Sequence, residues 1–559
     1  MSRDYDVCII GSGAGAGPVA LTLARAGYSV VVLEKGPWFT EKDFYKDELA
    51  CCRRSVYTPG LAEEQHVIED IDDDGNWVGE ATADSGWDFW NGNFVGGSSN
   101  LMSGFFYRLK PEDFRLRTEF GPIKGANVVD WPITYEELEP YYTLVEKEVG
   151  ISGRIVKHPF AEPRSSRDFP YPPTAEHAIA GRIDKTCDSM GLHPLPTPRA
   201  ILSRDKGRRR SCEYSGFCGS YGCSSGAKGS ARAALLDQAV ATGYCEIKPL
   251  CKVYQLNSDV KGKVASAEYY DAAGRQQSIS AKLYVVACQA IETSRLLLSS
   301  AGPKHPRGLA NNNGQVGKNL LFSAGGSGNG DFEYAKMDRQ TADSMKVRGP
   351  FVNRGLQDWY FINDPLMGGH IKGGTVDFLL RHPNALSKAM GAKWDGDDLV
   401  WGRDLQNRLK SIFTDSQTLR YEIFCDWLPT DDCFVSLDKS VKDKWGSAVA
   451  RVRIGYHQHD LKVGEYINGF AEKVLKNMGA TNIRSNISGV PPQNLVAGGC
   501  RFGHDPKTSV LDADCRAHDV ENLYVTDGSF MPTGGSVPYT WTIYANAFRV
   551  AEKIKNALL

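Results

Sequence analysis

The chain has 559 residues, of which 42% are hydrophobic and 24% are charged, and its formal net charge at pH 7 is -2. A chain of this length exceeds what one compact core usually holds, so two joined domains are expected. The near-neutral charge gives no sign of a nucleic-acid or anionic-membrane partner. No run approaches the roughly 18 apolar residues that cross a bilayer.

The N-terminal stretch predicts a dinucleotide-binding unit. Residues 4–10 read as an apolar strand, the sequence Gly-Ser-Gly-Ala-Gly-Ala at 11–16 as a glycine turn, and the stretch up to Gly27 as a helix. A second strand at 28–33 ends at Glu34. Glycines let the backbone approach a pyrophosphate, the helix start stabilises its charge, and the acidic residue accepts a hydrogen bond from the ribose 2′-OH. The third fingerprint position is alanine, which the pattern permits.

The same N-terminal stretch bears on the compartment. Met1-Ser2-Arg3 leads directly into the first strand, and no signal peptide is recognisable before it. We therefore expect a cytoplasmic protein, or a periplasmic one if it is exported together with a partner that carries the signal. We expect no membrane span in the chain itself.

Further elements follow towards the middle of the chain. A second glycine turn lies at 95–104, and Thr134 with Glu137 predicts a capping box at the start of a helix over 135–142. Residues 155–210 are rich in Pro, Arg and Ser and are interpreted as a loop or lid.

The second half of the chain alternates between strands and helices. Its predicted elements are a helix from 231, a buried strand at 283–288 with a helix at 291–300, short alternating strands over about 325–455, a strand and turn at 522–529, and a closing helix at 541–558. This order indicates a doubly wound unit that long insertions interrupt. The expected fold class is α/β, with a Rossmann-like dinucleotide-binding domain and an α+β substrate domain built on an antiparallel sheet.

In sequence order these motifs resemble the GMC (glucose–methanol–choline) oxidoreductases. The resemblance is carried by 11–16 with Glu34, 96–114, 130–133, 287–293, 316–320 and 527–529. It spans residues 4–556 and is strongest to bacterial gluconate, glucose and fructose dehydrogenases, which are catalytic subunits that oxidise sugars or sugar acids and pass the electrons on.

The resemblance implies how the domains divide the chain. The FAD-binding domain takes residues 1–320, interrupted by substrate-side insertions at about 40–95 and 115–210, and its C-terminal segment takes 491–559. The substrate-binding domain takes 321–490.

The resemblance also implies non-covalent FAD, because the histidine that links flavin in some members corresponds here to Leu101 or Met102. The residues expected to bind the cofactor are Gly11, Gly13, Ala14, Gly15, Glu34, Lys35, Gly96, Gly97, Ser98, Asn100, Met102, Val253, Ala287, Asp527, Gly528, Tyr539 and Thr540.

The implied activity is that of an FAD-dependent dehydrogenase. It would oxidise a CH–OH group of a sugar, sugar acid or related alcohol by hydride transfer to flavin N5 and pass the electrons to an acceptor other than oxygen. The expected partners are the substrate and, as electron-transfer partners, a small subunit or a cytochrome c. The alternatives are an oxidase that uses O2 and a non-catalytic flavin-binding subunit.

The catalytic base is where the sequence departs from the family pattern. The family's histidine position falls on Asn494 or Leu495, and the position of its His or Asn partner falls on Pro538. The base would then come from elsewhere, with Asn494, Tyr539 and His504 as the candidate catalytic residues and the histidines at 457 and 459 as further candidates. Otherwise the substrate is activated enough to need little base catalysis, or the protein binds flavin without turning over.

Three cysteines form a separate candidate site. Cys212, Cys218 and Cys223 follow a C-x5-C-x4-C spacing in a glycine-rich segment. Sugar dehydrogenases that this chain resembles carry a three-cysteine iron–sulfur cluster in this region, and iron prefers such thiolates. The spacing is not that of a ferredoxin. A zinc site with a distant fourth ligand and a structural thiol loop, with one disulfide if the protein is exported, remain alternatives.

Overall fold

Two sheets and a cavity between them organise the molecule. The computed structural model describes residues 4–45, 48, 64–72, 74–89 and 91–559. The predicted insertion at 40–95 therefore lies partly outside the described residues.

The strands of the described residues are numbered in chain order. They are β1 Tyr5–Ile10, β2 Val30–Leu33, β3 Val67–Ile71, β4 Trp77–Ala81, β5 Pro194–Pro196, β6 Cys245–Lys248, β7 Lys252–Ser258, β8 Val264–Tyr270, β9 Gln276–Ile279, β10 Ala281–Val286, β11 Leu320–Leu321, β12 Ser323–Glu333, β13 Arg354–Leu356, β14 Phe361–Asp364, β15 Gly369–Lys372, β16 Gly374–Leu380, β17 Trp394–Asp395, β18 Asp398–Leu399, β19 Ser416–Asp426, β20 Phe434–Lys442, β21 Ala448–Arg453, β22 Thr481–Asn486, β23 Ala497–Gly498 and β24 Leu523–Val525.

The α-helices are numbered in the same way. They are α1 Ala16–Arg25, α2 Thr82–Ser85, α3 Leu116–Phe120, α4 Tyr135–Val145, α5 Ile179–Ser189, α6 Asp237–Ala241, α7 Ala290–Ser299, α8 Arg339–Met345, α9 Ala385–Ala392, α10 Gly402–Lys410, α11 Gln458–Asn477 and α12 Thr540–Leu558.

The first sheet is parallel and has the strand order β24-β10-β1-β2-β6. Residues Val7 to Ile10 of β1 are at most 3% exposed. Such continuous burial is typical of a parallel strand covered on both faces, and α1 packs against α12 beside it. Its strands belong to segments 5–33, 245–286 and 523–525, so the ends of β1, β2, β10 and β24 meet at one edge. This edge is where α/β sheets bind ligands.

The second sheet is antiparallel and has the order β22-β12-β19-β16-β13-β5. Helix α11 packs on one face of it. Successive side chains of a strand point to opposite faces, and on β19 the set Leu419, Tyr421 and Ile423 is at most 3% exposed. The alternate set at 420, 422 and 424 lines the cavity on the other face.

The expected fold class is confirmed, since a parallel sheet with helices is joined to an antiparallel sheet. Five strands of the antiparallel sheet lie within 321–490, and β5 lies within the predicted insertion 115–210. Strand β3 of the other insertion pairs with β21, and β4 pairs with β3. The domain boundaries themselves stay a prediction.

Local predictions had mixed outcomes. The capping box is present, with Thr134 Oγ1 accepting from Glu137 N at 3.3 Å and Glu137 Oε2 accepting from Thr134 N at 2.7 Å. The interpretation of 155–210 as loop was wrong for α5. This helix buries Ile179, Ile183 and Cys187 on one face, a helical spacing that the surrounding Pro, Arg and Ser residues obscure.

Candidate functional site

A cavity of about 560 Å³ lies between the two sheets. One end is lined by Glu34, Lys35 and Val253, and the other by Phe424 and Tyr539. It therefore runs from the carboxyl edge of the parallel sheet to the inner face of the antiparallel sheet. A long dinucleotide bound by the glycine turn would lie along this path, with its adenosine ribose at the Glu34 end.

The first glycine turn approaches neighbouring backbone closely. Gly11 has φ +89°, and a Cβ there would lie 2.3 Å from the Ala287 carbonyl oxygen. A Cβ on Gly15 would lie 2.6 Å from the backbone nitrogen of Asp527. A Cβ on Gly13 would meet no atom within 4 Å. Gly11 and Gly15 thus pack the turn against the sheet, while Gly13 leaves open space for a ligand.

The start of α1 is suited to an anion. Gly15 is the N-cap of α1, and no side chain caps the helix there. Gly13 and Ala14 line the cavity just before it. The N–H groups of Ala16 and Gly17 donate to the Gly13 carbonyl at 3.0 Å and 3.2 Å. The positive end of the helix dipole therefore faces the cavity at this position and favours a pyrophosphate there.

Glu34 occupies the end of β2, where a ribose hydroxyl is expected. It is 6% exposed, and its carboxylate accepts hydrogen bonds from Ser12 Oγ at 2.5 Å and from Gly36 N at 2.9 Å. Burial raises the pKa of Glu34. The carboxylate is therefore held in one orientation at the cavity wall.

Two buried polar atoms of the cavity have no hydrogen-bond partner among the described residues. They are Gln289 Nε2 and Tyr539 OH. Gln289 has φ +79° and caps α7, since its Oε1 accepts from Ile291 N at 2.8 Å. This bond uses the amide oxygen and leaves the amide nitrogen Nε2 for another partner. Buried polar atoms normally have partners, so these two, with the open turn, fit a bound FAD that supplies them.

Most of the expected cofactor residues line this cavity. They are Gly11, Gly13, Ala14, Gly15, Glu34, Lys35, Gly97, Ser98, Met102, Val253, Ala287, Asp527, Gly528, Tyr539 and Thr540.

Gly96 and Asn100 lie behind the cavity wall instead. Gly96 has φ +94° and donates its N–H to Ser12 Oγ at 3.0 Å. Asn100 Nδ2 donates to the carbonyl oxygens of Val95 and Gly97, both at 3.0 Å. These two residues shape the second glycine turn rather than form its surface.

The expected catalytic residues separate into two groups. Asn494 and Tyr539 line the cavity, as do Leu495 and Pro538 at the family positions. His504 does not line the cavity, because it lies in the turn after Gly503 and its side chain is exposed at the surface. The structure therefore removes His504 from the candidate bases.

The other two histidines also lie elsewhere. His457 is the N-cap of α11, and its Nε2 bonds to the Lys124 carbonyl oxygen at 2.9 Å. His459 lines a separate small cavity beside α11. Neither lines the cavity between the sheets.

His382 was not expected and does line the cavity. Its Nδ1 lies 3.2 Å from the Gly216 carbonyl oxygen. A carbonyl can only accept, so Nδ1 carries the proton and Nε2 is left as an acceptor. Burial lowers the pKa of His382, so the neutral ring predominates at neutral pH.

Glu422 is a second cavity-lining group that sequence reasoning missed. Burial raises the pKa of Glu422, and its nearest cation, Arg420, lies 3.8 Å away. Glu422 pairs in register with Asp377, whose pKa burial raises to about 8. The polar-apolar alternation of β19 in the sequence indicates a strand with one polar face. It does not indicate which other element lies opposite that face.

The cysteine prediction is not supported. Among the described residues no group of three or more His, Cys, Asp or Glu side chains could hold a metal ion. Cys212, Cys218 and Cys223 are not disulfide-bonded and are half-buried around a small apolar cluster. Cys218 Sγ lies 3.8 Å from the Ser103 carbonyl oxygen, and Cys212 Sγ accepts from Tyr214 N at 3.4 Å. The three thiols line one further cavity together but do not form a metal-holding group within the described residues.

The chain matches two family models, both described as GMC oxidoreductase, over residues 181–323 and 429–547. It is 32% identical to 2-methyl-1,2-propanediol dehydrogenase of Mycolicibacterium austroafricanum, covering 98% of this chain and 95% of that protein. It is 30% identical to 6'''-hydroxyparomomycin C oxidase of Streptomyces lividus, covering 100% of this chain and 92% of that protein. The fructose dehydrogenase large subunit of Gluconobacter japonicus is 27% identical, and the match covers 99% of this chain and 98% of that protein.

Solved structures share the fold. Pyridoxine 4-oxidase from Mesorbium loti is similar with a TM-score of 0.62 at 16% identity, covering 99% of both chains. Within the described residues, none of the helices has the length and apolar character needed to cross a membrane.

The two cavity-side glycines give a matched test of the cofactor site. We expect Gly11→Ala to destabilise the fold by roughly 2 kcal/mol or more, because its methyl group would overlap the Ala287 carbonyl. Gly13→Ala should leave the fold intact and reduce the retained FAD, because its methyl group would point into open space. The FAD-to-protein ratio and the thermal midpoint of FAD-stripped protein measure these effects. Full FAD retention in Gly13→Ala would show that the pyrophosphate lies elsewhere.

Proposed function

Since the chain belongs to the GMC family of FAD-dependent oxidoreductases that act on alcohols, we propose that it is a dehydrogenase for a sugar, sugar acid or related alcohol. Its electrons go to an acceptor other than oxygen, such as a partner subunit or a cytochrome c. The observation that carries the proposal is that one cavity joins the dinucleotide cradle to the polar face of β19. A substrate on that face lies beside His382 and Glu422.

The chain's own residues hold the cofactor and move the proton. The residues of the two glycine turns, with Glu34 and the start of α1, bind FAD, which supplies the hydride acceptor when bound. We assign the removal of the hydroxyl proton to His382 Nε2, because the Gly216 carbonyl keeps the proton on Nδ1. Glu422 lies on the same wall and accepts a second substrate hydroxyl.

Relatives at similar identity are split between dehydrogenases and oxidases. Membership of the family therefore does not determine the electron acceptor, and the choice of an acceptor other than oxygen is our proposal. No relay through the three cysteines is proposed, because they form no metal-holding group in the described part of the chain.

The activity is tested by adding sugars, sugar acids and simple alcohols to the FAD-loaded protein without oxygen. We expect at least one class to bleach the visible flavin absorption. Reduced protein is then mixed with aerated buffer, and slow reoxidation compared with flavin reduction is expected of a dehydrogenase. Reoxidation as fast as reduction would assign an oxidase. No bleaching by any alcohol would contradict the enzyme proposal and favour a flavin-binding subunit.

The role of His382 is tested by His382→Gln. We expect flavin reduction to slow by about a hundred-fold or more, the usual effect of losing a general base. In the wild type the rate should fall as the pH drops through the pKa of His382, because the neutral ring is the active form and burial holds that pKa below its usual value.

His370→Gln is the matched control. His370 is an exposed histidine on β15, where it contacts Asn363 Oδ1 at 2.6 Å. It should reduce flavin at the wild-type rate. If His382→Gln does the same while Glu422→Gln is slow, Glu422 is the base. The pH profile would then follow the raised pKa of that carboxylate.

A further inference from the structure

A second cavity of about 540 Å³ adjoins the one between the sheets. The two share Ser103, Phe105, Gly219, Leu379 and His382 in their linings. Glu34 and Lys35, at the adenosine end, line the first cavity and not the second. The second cavity therefore meets the first at the end where the proposed base lies.

The lining of this second cavity is strongly cationic. Six of its described lining residues are Lys or Arg and two are Asp or Glu. The cations are Arg199, Lys228, Arg348, Arg381, Lys388 and Arg408. Two of the charged lining residues pair with residues outside the lining, since Glu213 pairs with Arg210 at 3.1 Å and Arg408 pairs with Asp395 at 2.6 Å. Asp331 accepts from Thr418 Oγ1 at 2.7 Å and attracts Arg381, which leaves five cations facing one acid.

The floor holds a buried positive charge. Arg199 is 2% exposed, and its guanidinium donates to Asn353 Oδ1 at 2.5 Å and to the Ser103 carbonyl at 3.0 Å, both neutral acceptors. The nearby carboxyl of Asp377 has its pKa raised by burial to about 8, so it is largely protonated at neutral pH. The Arg199 guanidinium lies over the rings of Phe105 and Phe351, at 4.5 Å and 4.3 Å from their centroids, and within the described residues it has no carboxylate at ion-pair distance. An anionic ligand would add the direct charge partner that a buried cation favours.

The rim adds three cations that form no ion pair in the described part of the chain. They are Arg348, Arg381 and Lys388. Burial, together with the nearby charges of Arg348 and Arg381, lowers the pKa of Lys388 to about 8. The neighbouring carboxylate of Glu48 is occupied by the backbone N–H groups of Leu386 and Ser387.

We propose that the alcohol oxidised by this protein carries an anionic group, a carboxylate or a phosphate ester, which Arg199, Arg381 and Lys388 bind in the second cavity. The reacting CH–OH group then extends past the shared wall to His382. This substrate class rests on the proposed function. A cationic amino alcohol would meet repulsion from the same side chains.

Binding is tested without turnover by ligands that contain no alcohol. Calorimetric titration of the FAD-loaded protein with hexanoate, hexyl phosphate and hexanamide compares two anions with a neutral molecule of similar length. We expect at least one anion to bind about ten-fold more tightly than the amide, and high salt to remove most of that difference. Equal affinity for the anions and the amide would overturn the proposal.

The variant test uses the double substitution Arg381→Gln, Lys388→Met, with Arg348→Gln as a milder second variant. We expect a loss of about ten-fold in anion affinity for the double variant and no change for hexanamide. Arg339→Gln, on a side chain that is 97% exposed in α8, is the matched control and should bind like the wild type. Unchanged anion affinity in both cavity variants would overturn the proposal.

Anaerobic flavin reduction connects binding to substrate choice. D-gluconate, D-glucose 6-phosphate and D-glucose distinguish a carboxylate, a phosphate ester and a neutral sugar. We expect D-gluconate or D-glucose 6-phosphate to show a lower apparent dissociation constant than D-glucose. The double variant should raise that constant and change the limiting rate of flavin reduction little. If neutral alcohols reduce flavin best, the substrate class fails while the proposed function stands. If no alcohol reduces flavin, both fail, and the calorimetry still reports on the cavity.

Discussion

The close contact between the first glycine turn and the ends of β10 and β24 is the constraint on which the site depends. Ala287 N donates to the Ile10 carbonyl at 2.8 Å, and Thr526 Oγ1 donates to the Gly15 carbonyl at 2.9 Å. A side chain at Gly11 or Gly15 would prevent this approach, as the backbone distances show. The contact joins segments more than 500 residues apart and forms the phosphate end of the cradle.

Asp527 extends this contact to the helix behind it. Its carboxylate accepts from Gln289 N at 3.1 Å and from Thr293 Oγ1 at 2.5 Å, and also from Ser529 N at 2.8 Å. Burial raises the pKa of Asp527. Several donors aimed at one carboxylate favour its charged form and partly oppose the burial. The strained backbone of Gln289 is held in place by these bonds and leaves its amide nitrogen available to the cavity.

The two cavities differ in their electrostatics, and the difference follows from their walls. Backbone N–H groups at the start of α1 provide positive potential without a charged side chain, which suits a pyrophosphate. The second cavity has side-chain cations, of which Lys388 lies on α9 and Arg408 on α10. His382 lies where the two linings overlap, so one residue contacts both the cofactor space and the proposed anion site.

The sequence by itself determined the first glycine turn and the acidic residue of the nucleotide half of this protein. Gly11, Gly13, Gly15 and Glu34 lie within one strand–turn–helix–strand unit, where spacing along the chain determines spacing in the fold. The substrate half was decided by tertiary structure. The pairing of β16 with β19 places Glu422 on the cavity face, and the loop after β16 brings His382 beside it. These residues come together through long-range strand pairing and burial, which no local pattern encodes.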